Sequence, residues 1–335
     1  MLSPFQLGAT LYMPATRTDL FAVMTQQKIS DLRSMVICFE DAIREDEVEA
    51  ALANFQQLLD QLCTACSAAE PASHPLGSAQ STSNSNSERE RASRPLVFVR
   101  PRYPAMAAQL CQMTGIEQIN GFVLPKFDNH SFAIWEDVLQ VTPKHFVFMP
   151  TLETVDILDL NTAKQLRDKL LNSALQQRIL VLRIGGNDLM ACYGLRRHHQ
   201  HTLYDTPLGY IIAQLVTVFI PAGFALTAPV FEYFQDNVLL EKEWQQDLRY
   251  GLVGKTAIHP KQIIPIQQAL KVDIKDYAAA KRILAQNAPA VFQFNGAMCE
   301  PSTHRRWAEM ILQRAAHFGC QYQSIGQVLD CRHLG

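Results

Sequence analysis

The sequence contains no run of about 18 apolar residues, the least that a membrane-spanning helix requires, so no membrane partner is expected. Met1-Leu2-Ser3-Pro4-Phe5 lacks a charged segment leading into an apolar one, and the chain reads as cytoplasmic. Positive charge is not in excess: the formal net charge of -2 supplies no field that would gather nucleic acid. Cysteine is sparse, with 8 residues scattered over a chain too long to need a disulfide framework, which predicts free thiols in a reducing compartment. Cys63-Thr64-Ala65-Cys66 is the one CxxC, and no second pair follows at zinc-finger spacing. Also missing are the serine nucleophile elbow, the Walker A loop, the GxGxxG fingerprint and HExxH, so these familiar routes to hydrolysis, phosphoryl transfer and dinucleotide binding are not signalled.

What remains is a chain of 335 residues, 48% hydrophobic and 19% charged, enough to bury a large core. Short apolar runs alternate with longer amphipathic ones, the βα rhythm of a parallel sheet. Strands are expected at residues 8–13, 35–39, 96–100, 121–124, 145–149, 179–183, 224–228 and 252–257. Eight βα units closing on themselves predict an α/β fold, a (β/α)8 TIM barrel over residues 1–275. Residues 67–94, rich in Ser and Asn and poor in apolar side chains, read as a flexible insertion. Residues 276–335 read as a C-terminal helical extension. Within it Val291-Phe292-Gln293-Phe294-Asn295-Gly296-Ala297-Met298 is too apolar for an exposed loop, and it is expected to cover this barrel or a neighbouring subunit.

In a barrel the C-terminal strand ends converge on one mouth. Arg183-Ile184-Gly185-Gly186-Asn187-Asp188-Leu189 is such an end, a buried strand that turns on two glycines and presents a carboxylate. Phe148-Met149-Pro150-Thr151-Leu152-Glu153 repeats the design. Other strand ends supply Arg17, Glu40, Asp41, Arg100, Arg102, Lys126, Lys255 and His259. Glu153 and Asp188 could hold a hard divalent cation such as Mg2+, with arginines pairing to a substrate carboxylate. Such a site suits cleavage of a carbon–carbon bond beside a carbonyl. Lys126 and Lys255 could equally be loop charges or partners of Glu40 and Asp41, and His259 could be structural. Arg196-Arg197-His198-His199-Gln200-His201 reads either as an exposed polar loop or as an anion-gripping lid.

Eight motifs run in order along nearly the whole chain. They are Leu11-Tyr12-Met13-Pro14-Ala15-Thr16-Arg17, Phe39-Glu40-Asp41-Ala42-Ile43, Val99-Arg100, Leu124-Pro125-Lys126, Leu152-Glu153-Thr154, Gly186-Asn187-Asp188-Leu189, Gly254-Lys255-Thr256-Ala257-Ile258-His259-Pro260 and Phe294-Asn295-Gly296-Ala297-Met298. With them the chain resembles the citrate lyase beta-subunit-like branch of the HpcH/HpaI aldolase superfamily. The resemblance implies a Mg2+-dependent carbon–carbon lyase cleaving a 3-hydroxy acid, or its coenzyme A or carrier-protein thioester, to a 2-oxo acid and an acyl product. An aldolase releasing pyruvate and an aldehyde, and an inert barrel kept as a binding protein, are the alternatives. It also implies that Glu153 and Asp188 bind the metal and that Arg100 anchors the substrate. Glu40 and Asp41 would lie at the pocket floor, with Arg17, Arg102, Lys126, Gly186 and Asn187 contacting the substrate, a small anionic carboxylate. Glu300 would reach the site of a neighbouring copy in a homo-oligomer as general acid or base. Two departures bear on the substrate. The usual Asp-Leu-Glu-Asp reads Cys38-Phe39-Glu40-Asp41, and the usual Arg-x-Asn reads Arg100-Pro101-Arg102, an extra cation that predicts a more anionic ligand.

Overall fold

The computed structural model describes residues 2–68 and 94–322, so nearly all of the expected insertion at 67–94 lies outside the described residues. By their contacts the residues form two compact units, Met1–Ile263 and Ile264–Gly335.

The first unit is built on eight parallel strands: β1 (Ala9–Pro14), β2 (Ser34–Cys38), β3 (Leu96–Arg100), β4 (Gly121–Leu124), β5 (Val147–Leu152), β6 (Leu182–Ile184), β7 (Leu226–Thr227) and β8 (Lys255–Ala257). Their order around the sheet is β7-β6-β5-β4-β3-β2-β1-β8. The two ends meet: Val253 donates its N–H to the Leu226 carbonyl at 2.9 Å, Ala228 donates to the Gly254 carbonyl at 2.7 Å, and Ala228 bridges to Lys255 in parallel sense. The sheet is therefore a barrel. Every position of β2 and β4 is buried, as expected where helices cover the outside and side chains fill the bore. Helices such as Val48–Ala68, Leu160–Leu171, Pro207–Phe219 and Asn237–Arg249 alternate with the strands. Their starts follow local chemistry. Asp159, Thr206 and Asp236 each accept a backbone N–H of the first turn, and Pro207 occupies a position where its missing N–H costs nothing.

The second unit has its own small core of Val272, Ala280, Ile283, Ala308, Ile311 and neighbours. Strand Val272–Asp273 pairs in parallel with Cys320–Gln321, so the expected junction after residue 275 falls inside this unit. The apolar stretch at 291–298 forms an antiparallel hairpin, Phe292–Phe294 with Ala297–Cys299. Its turn is Asn295-Gly296, at φ +50° and +79°, the two-residue loop whose left-handed backbone matches strand twist. The Arg282 guanidinium lies over the rings of Phe292 and Phe294, at 5.6 and 5.4 Å from their centroids.

Candidate active site

A cavity of about 330 Å³ opens at the C-terminal ends of the strands, and Asp41, Arg100, Glu153, Gly186, Asn187 and Asp188 are among its lining residues. Most of the site residues expected from the sequence are thus brought to one place. Arg100, the last residue of β3, is their hub. Its guanidinium is ion-paired with Glu40, with Glu153 at 3.1 Å and with Asp41 at 3.5 Å. Glu40 also takes Lys126, whose Nζ is 3.3 Å away. Burial alone would lower the Arg100 pKa, but Glu153, Tyr12 and Glu40 around it outweigh that and hold the guanidinium firmly charged.

Glu153 follows β5 and is almost wholly buried. Its Oε1 accepts the backbone N–H of Lys126 at 2.7 Å, and Lys126 adopts φ +48° to present that N–H, an uncommon conformation for a residue with a side chain. Burial raises the Glu153 carboxyl to about 7, Arg100 opposing the shift and Asp188 adding to it. Asp188, in the first turn of the helix Gly186–Cys192, is half-buried; desolvation raises its pKa and the charge of Asp41 raises it further. The chain passes very close over Glu153 at this turn: a Cβ on Gly185 would collide with the Glu153 side chain, and one on Gly186 would come within 2.7 Å of Pro229 Cβ.

These shifts describe a surplus of buried negative charge. Glu40, Asp41, Glu153 and Asp188 face Arg100 and Lys126, and two of the acids that line the cavity, Glu153 and Asp188, are both driven toward their neutral forms. A cation with hard oxygen preference would relieve that, and Mg2+ fits the donor set. Among the described residues no three His, Cys, Asp or Glu side chains are gathered at metal-ligand spacing. Two carboxylates would leave the rest of the coordination shell to water and substrate, as Mg2+ prefers.

Other expected site residues lie elsewhere, and one that does line the cavity, Asn187, is turned to a neighbouring carboxylate. Arg17 bonds Asp19 at 2.6 and 2.8 Å and lines a different groove with Asn54 and Gln61. Arg102 directs one guanidinium nitrogen at the carbonyls of Phe39, Glu40 and Ile43, at 2.9, 3.2 and 3.1 Å, and pairs with Glu45 at 3.0 Å. It fastens the loop that carries Glu40 and Asp41. Asn187 is exposed and donates to Glu232 Oε1 at 3.2 Å. Glu300 belongs to the second unit, where its carboxylate accepts the hydroxyls of Ser302 and Thr303 at the start of helix Pro301–Phe318. His259 caps the turn Pro260–Gln262 and stacks on Phe234 at 4.5 Å.

Lys255 joins neither Glu40 nor Asp41. Its Nζ is fully buried and bonds Glu243 Oε1 at 2.9 Å and Asp247 Oδ2 at 2.7 Å. Arg197 pairs with Glu243 as well and donates to the Val230 carbonyl at 2.6 Å, so one residue of the expected polar loop is buried inside the fold. The exposed remainder stacks on itself, with His198 4.4 Å from His199 and 5.0 Å from His201 between ring centroids. Sequence reasoning also passed over Tyr12, Thr151, Arg183 and Thr256, all of which line the cavity. Arg183 had a signal: it is a lone charge inside the apolar run Leu180-Val181-Leu182-Arg183-Ile184.

A family model described as C-C_Bond_Lyase of the TIM-Barrel fold matches residues 1–320. No curated protein matches the sequence significantly. Among solved structures, the protein CitE from Mycobacterium tuberculosis, in complex with magnesium, acetoacetate and coenzyme A, superposes with a TM-score of 0.62 at 18% identity, covering 93% of this chain and 99% of that one. A citrate lyase beta subunit from the same organism, complexed with oxaloacetate and magnesium, has a TM-score of 0.52 at 15% identity over 79% and 98%. Malate synthase of Haloferax volcanii, in a lead(II) complex, has a TM-score of 0.55 at 13% identity over 78% and 72%. Likeness at these identities extends to the fold.

Proposed function

The chain belongs to the carbon–carbon bond lyase family of the TIM-barrel fold, and from that premise we propose that it is a Mg2+-dependent lyase. Its substrate is a 3-hydroxy acid, or the thioester of one with coenzyme A or a carrier protein, and its products are a 2-oxo acid and an acyl compound. The observation that carries this reading is the convergence of Glu153, Asp188 and Arg100 on one cavity at the barrel mouth. Structures of similar fold that hold magnesium with acetoacetate and coenzyme A, or with oxaloacetate, support the cofactor and the substrate class.

Glu153 and Asp188 would hold the metal. Bound there, Mg2+ would supply a Lewis acid for the negative charge left on the substrate's hydroxyl oxygen when its proton is removed, the oxygen that becomes the 2-oxo acid's carbonyl, while the electron pair of the broken bond passes to the acyl product, which takes up a proton. Arg100 orients the substrate: its Nε is buried with no hydrogen-bond partner among the described residues, while Glu40, Asp41 and Glu153 all pair with its Nη2. Glu40 holds both Arg100 and Lys126 in place. Asp41 is 65% exposed and only 3.5 Å from Arg100, so it is the mouth carboxylate free to carry a proton. We assign a second proton carrier, Glu300, to the site of a neighbouring copy in a homo-oligomer. Gly186 and Asn187 border the substrate beside Asp188.

The test is a panel of 3-hydroxyacyl thioesters and free hydroxy acids, with Mg2+ and with chelator, read as release of a 2-oxo acid. Mg2+-dependent release from a thioester or its free acid is the expected result. Production of pyruvate and an aldehyde instead would make the protein an aldolase, and a metal-bound protein inert on the whole panel would make it a binding protein.

A further inference from the structure

The cations around the cavity are unequally committed. Arg100 is shared among three carboxylates, Lys126 is tied to Glu40, and Arg102 is spent on loop carbonyls and Glu45. Arg183 differs from all of them. Of the buried arginines, Arg100 and Arg197 are ion-paired, whereas Arg183, at 2% exposure, has no ion pair among the described residues. Its guanidinium meets neutral groups: Thr256 Oγ1 at 2.5 Å, Met149 Sδ at 3.7 Å and the Tyr12 ring, 5.2 Å to the centroid.

Arg183 is the register partner of Thr151 on β5 and of Thr227 on β7, so the three side chains leave the sheet on the same side. Thr151 Oγ1 and Thr227 Oγ1 are both buried without a hydrogen-bond partner among the described residues. Arg183, Thr151 and Thr256 line the same cavity as Glu153 and Asp188. A guanidinium cannot shed its proton to escape burial, and a buried charge without a counter-charge is costly. An anion brought by the ligand removes that cost. One positive charge flanked by hydroxyls balances a single carboxylate, whereas a dianionic phosphoryl group would leave excess negative charge in a bore that already holds Glu153.

We propose that Arg183, with Thr151 and Thr256, forms a second carboxylate subsite, so that the 2-oxo acid released is a dicarboxylate. One end binds at the metal and Arg100, and the other lies further down the barrel at Arg183. The proposal rests on the functional reading above and specifies its acid.

Calorimetric titration of the full chain in Mg2+ with pyruvate and with oxaloacetate, which differ by one carboxylate, tests it. Oxaloacetate binds at least about tenfold more tightly to the natural chain. Arg183→Met brings the ratio close to one, Arg183→Lys restores part of it, and Thr151→Val reduces it. Equal affinity in the natural chain overturns the subsite, as does an Arg183→Met protein that melts cooperatively and keeps the preference. Tighter binding of phosphonopyruvate than of oxaloacetate overturns the choice of carboxylate. The natural-chain comparison stands even if Arg183→Met fails to fold. Pyruvate bound without preference leaves the functional reading intact and removes only the subsite; neither acid bound in Mg2+ removes both.

Discussion

Gly185 sets how closely the backbone can pass over Glu153, because any side chain there collides with the carboxylate it covers. Gly185→Ala therefore displaces the proposed metal ligand, and it weakens Mg2+ binding by about 10–100-fold, the usual effect of disturbing a ligand's support. Isothermal titration with Mg2+ measures this, and an unchanged affinity would show that Glu153 does not need that cover. The same carboxyl makes metal binding depend on pH. Burial holds Glu153 up at about 7, so below that value the metal must displace a proton, and above it the ligand is already ionised. Mg2+ affinity should rise about tenfold per pH unit up to about 7 and then level off, with proton release on binding confined to the lower range. A flat profile from pH 5 to 8 would contradict this, the window being roughly that of a carboxyl shifted up by burial. At this scale the sequence was informative wherever a charge ended a strand, as at Arg100, Glu153 and Asp188. It could not tell that Arg102 would be consumed by three carbonyls or Arg17 by Asp19, because those partners are set by how loops fold back and not by residue spacing.

Among the elements, strand β8 and the helix Asn237–Arg249 are joined by ionic contacts as well as apolar ones. Lys255 sits between Glu243 and Asp247, Arg197 adds a second cation to Glu243, and the Tyr204 hydroxyl donates to Asp247 at 2.8 Å. Arg197 also reaches the Val230 carbonyl, and Val230 and Glu232 line the cavity, so this cluster supports one wall of the site. Lys255→Met would leave Asp247 buried without a cation and Glu243 with Arg197 alone, and should destabilise the protein by about 3–5 kcal/mol, read from denaturant unfolding. A loss below about 1 kcal/mol would mean that the cluster rearranges to admit water, as surface pairs do. The elements themselves were largely legible. β3 and β4 fall at the residues expected, since each is an uninterrupted apolar run bounded by polar or turn residues. β6 and β8 are shorter than expected: Phe148 makes only an isolated bridge to Ile179, and pairing of β8 with β1 begins at Lys255, after Leu252 and Val253. Apolar periodicity marks what is buried, and in these segments residues are buried without laddering. The Glu243 and Asp247 pair escaped notice because a one-turn spacing of acids on an amphipathic helix normally marks a solvated face.

The whole molecule combines a barrel with a second unit that exposes apolar surface of its own. Met298 in the hairpin is 61% exposed and Trp307 on the following helix is 40% exposed. Single exposed apolar residues are ordinary, but Glu300 lies between these two in sequence, on the segment proposed to serve a neighbouring site. If active sites are completed in trans, two inactive variants should rescue each other. Glu300→Gln keeps an intact metal site, and Asp188→Asn keeps an intact donor segment. Mixed by co-expression into a two-fold dimer, they should recover about a quarter of the natural activity, because random pairing makes half the dimers mixed and each mixed dimer has one complete site. Light scattering on the same samples reports the state of association. Recovery with an oligomer places Glu300 across the interface. No recovery from a confirmed mixed oligomer, or a monomer that retains full activity, would confine proton transfer to groups of the chain's own mouth, of which Asp41 is the most exposed carboxylate beside Arg100.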